Sequence, residues 1–221
     1  SSLTVSGMNA AKAGNYRVVV SNAGGSVISA PAALTMVILP AITAHPTDAN
    51  ATAGTNVSFS VDANGTAPLT YQWQKDAVNI GGATNASIVL TNVQPVDAGA
   101  YRCVVTNPYG TATSSAAALT VFVPVVITTQ LADVNATTGA TVTFDVNATG
   151  TAPITYQWQK NSVNIAGATG TSYSLTNVQD DDNGTYRVIV SNVTGSVTSN
   201  GATLSVRLPA TLAEFTNGLA A

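Results

Sequence analysis

Cysteine is almost missing from this chain. Cys103 stands alone among 221 residues, so no intrachain disulfide can form. Charge is scarce as well: Asp, Glu, Lys and Arg make up 8% of residues, against about 25% in an ordinary globular domain. Disorder does not follow, because disordered chains pair low hydrophobicity with high charge, and 45% of these residues are hydrophobic. The seven Lys and Arg are scattered singly and the net charge is −3. That excludes an electrostatic footprint for nucleic acid and a polybasic membrane patch. No apolar run approaches the ~20 residues of a membrane span, so direct membrane insertion is not expected. Ser1 opens no leader-like stretch, which reads as a mature, processed or excerpted chain. His45 is the only histidine, so the chain cannot repeat a Ser-His-Asp set.

What is present is repetition. Asp97-Ala98-Gly99-Ala100-Tyr101-Arg102-Cys103-Val104-Val105 returns downstream as Asp182-Asn183-Gly184-Thr185-Tyr186-Arg187-Val188-Ile189-Val190. It also occurs upstream as Lys12-Ala13-Gly14-Asn15-Tyr16-Arg17-Val18-Val19-Val20. The steps from Lys12 to Asp97 and from Asp97 to Asp182 are equal. Laid side by side without a gap, Leu39–Val121 and Pro124–Val206 agree at more than half of their positions. A fixed period of this kind marks a repeat protein. Each unit is long enough to bury a modest core of its own.

Within a repeat the apolar residues alternate. Val57, Phe59 and Val61 are separated by Ser58 and Ser60, and Val142, Phe144 and Val146 repeat the pattern. This is the period of a strand with one buried face. Tyr71 and Trp73 share a face, as do Tyr101, Cys103 and Val105. Asn64-Gly65-Thr66-Ala67-Pro68 and Asn107-Pro108-Tyr109-Gly110 carry turn chemistry. No segment sustains a 3.6-residue period. The expected class is all-β, with short strands and frequent turns.

These residues carry a resemblance. A Trp on a central strand, then Leu-Thr-Asn-Val, Asp-x-Gly-x-Tyr-x-Cys, Asn-x-x-Gly and a closing Leu-Thr-Val, resembles an immunoglobulin-like domain of the I-set type. The sparse charge and Thr/Asn-rich surface look like bacterial rather than animal members. The resemblance implies tandem Greek-key β-sandwiches. Tyr16, Tyr101 and Tyr186 would be the tyrosine corners, each hydroxyl bonded to nearby backbone. Asp97 and Asp182 would tie down the turn before them, and Trp73 and Trp158 would pack across the core.

The departure from that family is the missing bridge. Val61 and Val146 occupy the expected strand B cysteine positions, and Val18, Cys103 and Val188 those of strand F. A bridge closing a loop of about 42 residues contributes roughly 4 kcal/mol. A buried Val contributes about 1.5–3 kcal/mol, so an apolar pair offsets much of the loss. Cys103 reads as a free thiol serving as a small core hydrophobe.

The repeat sets domain bounds at 39–123 and 124–208. Residues 1–38 align with strands E, F and G alone, with Ser2–Val5 at the strand E position. Residues 209–221 resemble the start of a further domain. The junctions Met36-Val37-Ile38-Leu39-Pro40 and Val121-Phe122-Val123-Pro124 hold no Gly/Ser spacer, which predicts stiff links.

Chemistry is sparse. His45 has Gln130 as its counterpart and reads as a solvated loop residue. The acidic run Asp180-Asp181-Asp182 lacks the Glu of a calcium loop, where Ser191 stands. No metal, cofactor or enzymatic activity is expected. Sequons begin at Asn50, Asn56, Asn64, Asn85, Asn135, Asn147, Asn183 and Asn192. These are candidate glycosylation sites, and Asn50 and Asn135 are the pair in register. The expectation is a non-catalytic segment of a long extracellular or cell-surface array. Its partners would be neighbouring domains of the array and other copies in a filament. The alternatives are an adhesin or glycan-binding module, for which Tyr109 is an exposed-aromatic candidate, and a spacer in a large secreted enzyme.

Overall fold

The computed structural model describes residues 1–208; the expected start of a further domain at 209–221 lies outside them. By its contacts the chain falls into two compact units. One gathers Ser1–Ala49, Asn56–Leu90 and Ala98–Leu119. The other gathers Asn50–Thr55, Thr91–Asp97 and the chain from Thr120 onward. The contact division therefore does not follow the sequence period residue for residue.

In the second unit the repeat from residue 124 forms two layers. Gly184–Asn192 is the centre of one. It pairs antiparallel with Thr155–Lys160, placing Val188 opposite Trp158, and with Ala202–Arg207, placing Tyr186 opposite Ala202. Val134–Thr137 closes that sheet, parallel to Ala202–Arg207. The facing layer pairs Val142–Asp145 with Ser172–Leu175, and Val126–Thr129 with Asn147–Thr149. Alternation drives this arrangement: Tyr186, Val188 and Val190 are buried from one strand, and Val142 and Phe144 from the facing one. Phe144 stacks on Tyr186 with centroids 5.0 Å apart and lies 6.3 Å from Trp158. Tyr173 adds a third ring, 6.0 Å from Trp158 and 6.1 Å from Tyr186.

The first unit repeats the scheme. Gly99–Asn107 pairs with Thr70–Lys75, setting Cys103 opposite Trp73. Val57–Ser60 pairs with Ser87–Leu90. Phe59 stacks on Tyr101 at 5.1 Å and lies 6.4 Å from Trp73. Ile88 occupies the Tyr173 position, so this core has one aromatic ring fewer.

Residues 1–38 correct one expectation. Ser2–Val5 forms no strand. In the other repeats the corresponding strand pairs with Val57–Ser60 or Val142–Asp145, and residues 1–38 hold no such partner. The expected strand F is broken into Gly14–Tyr16 and Val19–Asn22. Gly14–Tyr16 pairs with Ala32–Leu34, and Val19–Asn22 forms a hairpin with Gly25–Ile28.

Candidate functional site: the seats that hold the incoming chain

Where each repeat begins, the same four-part contact recurs. The Val123 amide donates to Thr151 Oγ1 at 2.6 Å, and the Thr151 amide returns a bond to the Val123 carbonyl at 3.0 Å. Asn192 Nδ2 donates to that carbonyl at 2.8 Å and to the Thr151 carbonyl at 3.1 Å. Asn192 Oδ1 meanwhile accepts the Thr194 amide at 3.0 Å and the Thr194 hydroxyl at 2.7 Å. One side chain thus closes its own turn and grips the entering backbone.

Ile38 is held identically. Its amide donates to Thr66 Oγ1 at 2.7 Å, and its carbonyl accepts from the Thr66 amide and from Asn107 Nδ2, each at 2.9 Å. Asn107 also donates to the Thr66 carbonyl and accepts the Tyr109 and Gly110 amides. Asn22, the third residue at this register, caps its own turn by accepting the Gly24 amide at 2.8 Å. Sequence reasoning assigned Asn107 to a turn and missed the grip. The signal was the joint recurrence, one period on, of Asn107 as Asn192 and of Thr66 as Thr151.

The seat depends on close approach. Gly150 sits at φ +151, and a Cβ there would fall 2.9 Å from Val125 Cα and 3.0 Å from the Pro124 carbonyl. A side chain would therefore push the incoming segment off the turn.

The expected corner residues are placed as follows. Tyr186 donates to the Asp182 carbonyl at 2.9 Å and Tyr16 to the Lys12 carbonyl at 2.8 Å. Tyr101 is buried at the same register. The Asp97 and Asp182 carboxylates accept the Gln94 and Gln179 amides, each at 2.8 Å. Burial, reinforced by the Asp182 charge and by Tyr173, pushes the Tyr186 phenol up to about 12. Trp73 and Trp158 are fully buried, and their indoles donate to the Asn85 and Gly170 carbonyls at 3.0 and 2.9 Å.

Cys103 is buried and free, and burial pushes its thiol up, with a smaller opposing effect from the Gln72 backbone. It is a core side chain rather than a nucleophile, since the reactive form is the thiolate. His45 departs from its expected role as a merely solvated residue. It is exposed, yet its Nδ1 accepts the Ser115 amide at 3.0 Å. Its counterpart Gln130 accepts the Asn200 amide at 2.9 Å.

Of the eight sequon asparagines, Asn50, Asn56, Asn64, Asn85, Asn135 and Asn147 are exposed. Asn183 and Asn192 are half-buried with their amides engaged. Asn183 Nδ2 donates to Asp180 Oδ1 at 2.7 Å, and Asn192 Nδ2 serves the seat. A glycan replaces one of the two Nδ2 hydrogens, so at Asn192 it would remove at least one of the two bonds to Val123 and Thr151. The Asp180 and Asp182 carboxylates are likewise taken up by their own turn. Tyr109 is exposed beside the Asn107 turn, where the third repeat carries Thr194.

The immunoglobulin domain family model matches residues 40–107 and 124–192. The chain belongs to the immunoglobulin-domain family. It is 26% identical to hemicentin-1 of Mus musculus over 94% of its length, and 29% identical to the muscle M-line assembly protein unc-89 of Caenorhabditis elegans over 85%. It is 30% identical to endoglucanase C of Cellulomonas fimi over 77%. The chain spans only 4%, 3% and 16% of those three proteins. Among solved structures it resembles three titin domains, I67–I69, with a TM-score of 0.79 and 22% identity, over 90% of this chain and 76% of that one. Sidekick-1 immunoglobulin domains 1–4 give 0.63 at 20% identity, over 90% and 60%. Both likenesses establish tandem immunoglobulin sandwiches as the fold.

Proposed function

We propose that this chain is a non-catalytic structural segment of a long extracellular or cell-surface array of immunoglobulin-like domains. The seat is the observation that carries this reading. In two successive repeats an Asn and a Thr fasten the backbone that enters the sandwich, using bonds that bind no ligand. Such a device stiffens a string of domains. The names of the relatives accord with it: one is a muscle M-line assembly protein and one a cell adhesion molecule-related protein. No helix among the described residues is long and apolar enough to cross a membrane. The partners are other immunoglobulin-like domains, first those of the same array and then those of neighbouring copies.

A second reading is a spacer within a large secreted enzyme, and the endoglucanase C match favours it. Electron microscopy of the native protein separates the two. Long regular fibres support the array; discrete particles carrying glycosidase activity support the spacer.

A further inference from the structure

The bond from the Ser115 amide to His45 has a consequence that its glutamine counterpart does not share. Glutamine Oε1 accepts at any ordinary pH. A histidine nitrogen accepts only while the ring is neutral, because the protonated ring carries hydrogens on both nitrogens and has no acceptor left. Histidine changes charge between about pH 5 and pH 8. We propose that His45 makes an acid-sensitive bond, holding the Ser115 amide when neutral and freeing that amide when protonated, while Asp48 keeps its hold on Ala118.

The surroundings support a local effect. Ser115 is otherwise anchored through its neighbour: the Ser114 amide donates to the Cys103 carbonyl at 2.9 Å, and Ser114 Oγ accepts the Cys103 amide at 2.9 Å. The charged and titratable groups on the elements around this bond are few. Asp48 follows on the same segment and accepts the Ala118 amide at 2.7 Å. Asp62 pairs opposite Ala44. Tyr101 lies opposite Ala117, Arg102 next to it donates from Nε to Gln74 Oε1 at 2.8 Å, and Cys103 is buried further along that strand. Residues 110–122 contribute no ionisable side chain. The third repeat keeps the aspartate, with Asp133 accepting the Thr203 amide at 2.7 Å, and replaces the histidine by Gln130. It is a built-in control for any effect of the shared aspartate.

The bond is present above the histidine range and is lost as pH falls through it. Acid therefore loosens one repeat at this edge and leaves the other unchanged, which makes the tandem unequal in its response.

The test is amide hydrogen exchange on the full chain at about pH 7.5 and about pH 5, corrected for intrinsic rates. Ser115 is expected to lose about fivefold in protection, the factor carried by one hydrogen bond. Its amide chemical shift should move between the two conditions, while that of Asn200 holds. In the His45→Gln variant, which copies the third repeat, Ser115 should follow Asn200. Parallel behaviour of Ser115 and Asn200 in the native chain would overturn the proposal. So would an undiminished loss at Ser115 in the variant.

Discussion

The two complete repeats agree at more than half of their aligned positions, yet they fasten one edge differently. In the third repeat Asn200 grips Leu131 twice: Oδ1 accepts the Leu131 amide at 3.0 Å and Nδ2 donates to its carbonyl at 2.9 Å. In the second repeat Pro46 replaces Leu131 and Ser115 replaces Asn200. Proline has no amide hydrogen to satisfy, so the acceptor that Asn200 supplies is not needed there. The two changes belong together. A donor and its acceptor vanish as a pair, which is nearly neutral, whereas losing one alone leaves a buried group unsatisfied. The cores also differ, with the smaller Ile88 and Cys103 where the third repeat has Tyr173 and Val188. At this edge, then, the scaffold has exchanged a donor together with its acceptor.

Substitutions can break or sharpen that contrast. Truncating the shared core should cost most. Trp73→Ala and Trp158→Ala should each destabilise their own repeat by about 3–5 kcal/mol in chemical denaturation. Next comes the edge. Asn200→Ala strands the Leu131 amide and should cost about 1–3 kcal/mol, while Ser115→Ala should stay within about 0.5 kcal/mol. Equal effects would break the pairing argument.

Tyr186→Phe removes the corner bond to Asp182 and should cost about 1 kcal/mol. Spectrophotometric titration should show Tyr186 ionising near 12, above the ordinary tyrosine value of about 10. Folding favours the neutral phenol. Its contribution is complete below that ordinary value and is lost as pH rises through about 12. Cys103→Val copies Val188, exchanges one small apolar side chain for a slightly larger one, and should change stability by under about 1.5 kcal/mol. In the native chain the buried thiol should resist thiol reagents until the repeat unfolds.

Much of this was legible in the sequence, and the reason is physical. Trp158, Tyr186 and the alternating valines declare themselves because burial imposes a period of two and a large apolar residue at fixed register. The seats were half legible. Asn192 and Thr151 recur with Asn107 and Thr66, but they bind backbone carbonyls and amides, which any residue supplies, so no pattern names the partner. The His45 bond was not legible, since it joins one side chain to a backbone amide 70 residues away. Ser2–Val5 failed as a strand because repeat alignment transfers a register but not the partner that a strand requires.

The account rests on the seats making the junctions stiff. A direct test is to measure residual dipolar couplings across the full chain, native and with Asn192→Ala, using Asn107→Ala, whose seat holds Ile38 instead of Val123, as the control. The account predicts that in the native chain the couplings of residues 39–123 and 124–208 fit one common alignment tensor. Asn192→Ala should split it into two of unequal magnitude while each repeat stays folded, and Asn107→Ala should leave it single. Two independent tensors in the native chain, or one unchanged tensor after Asn192 is removed, would contradict it.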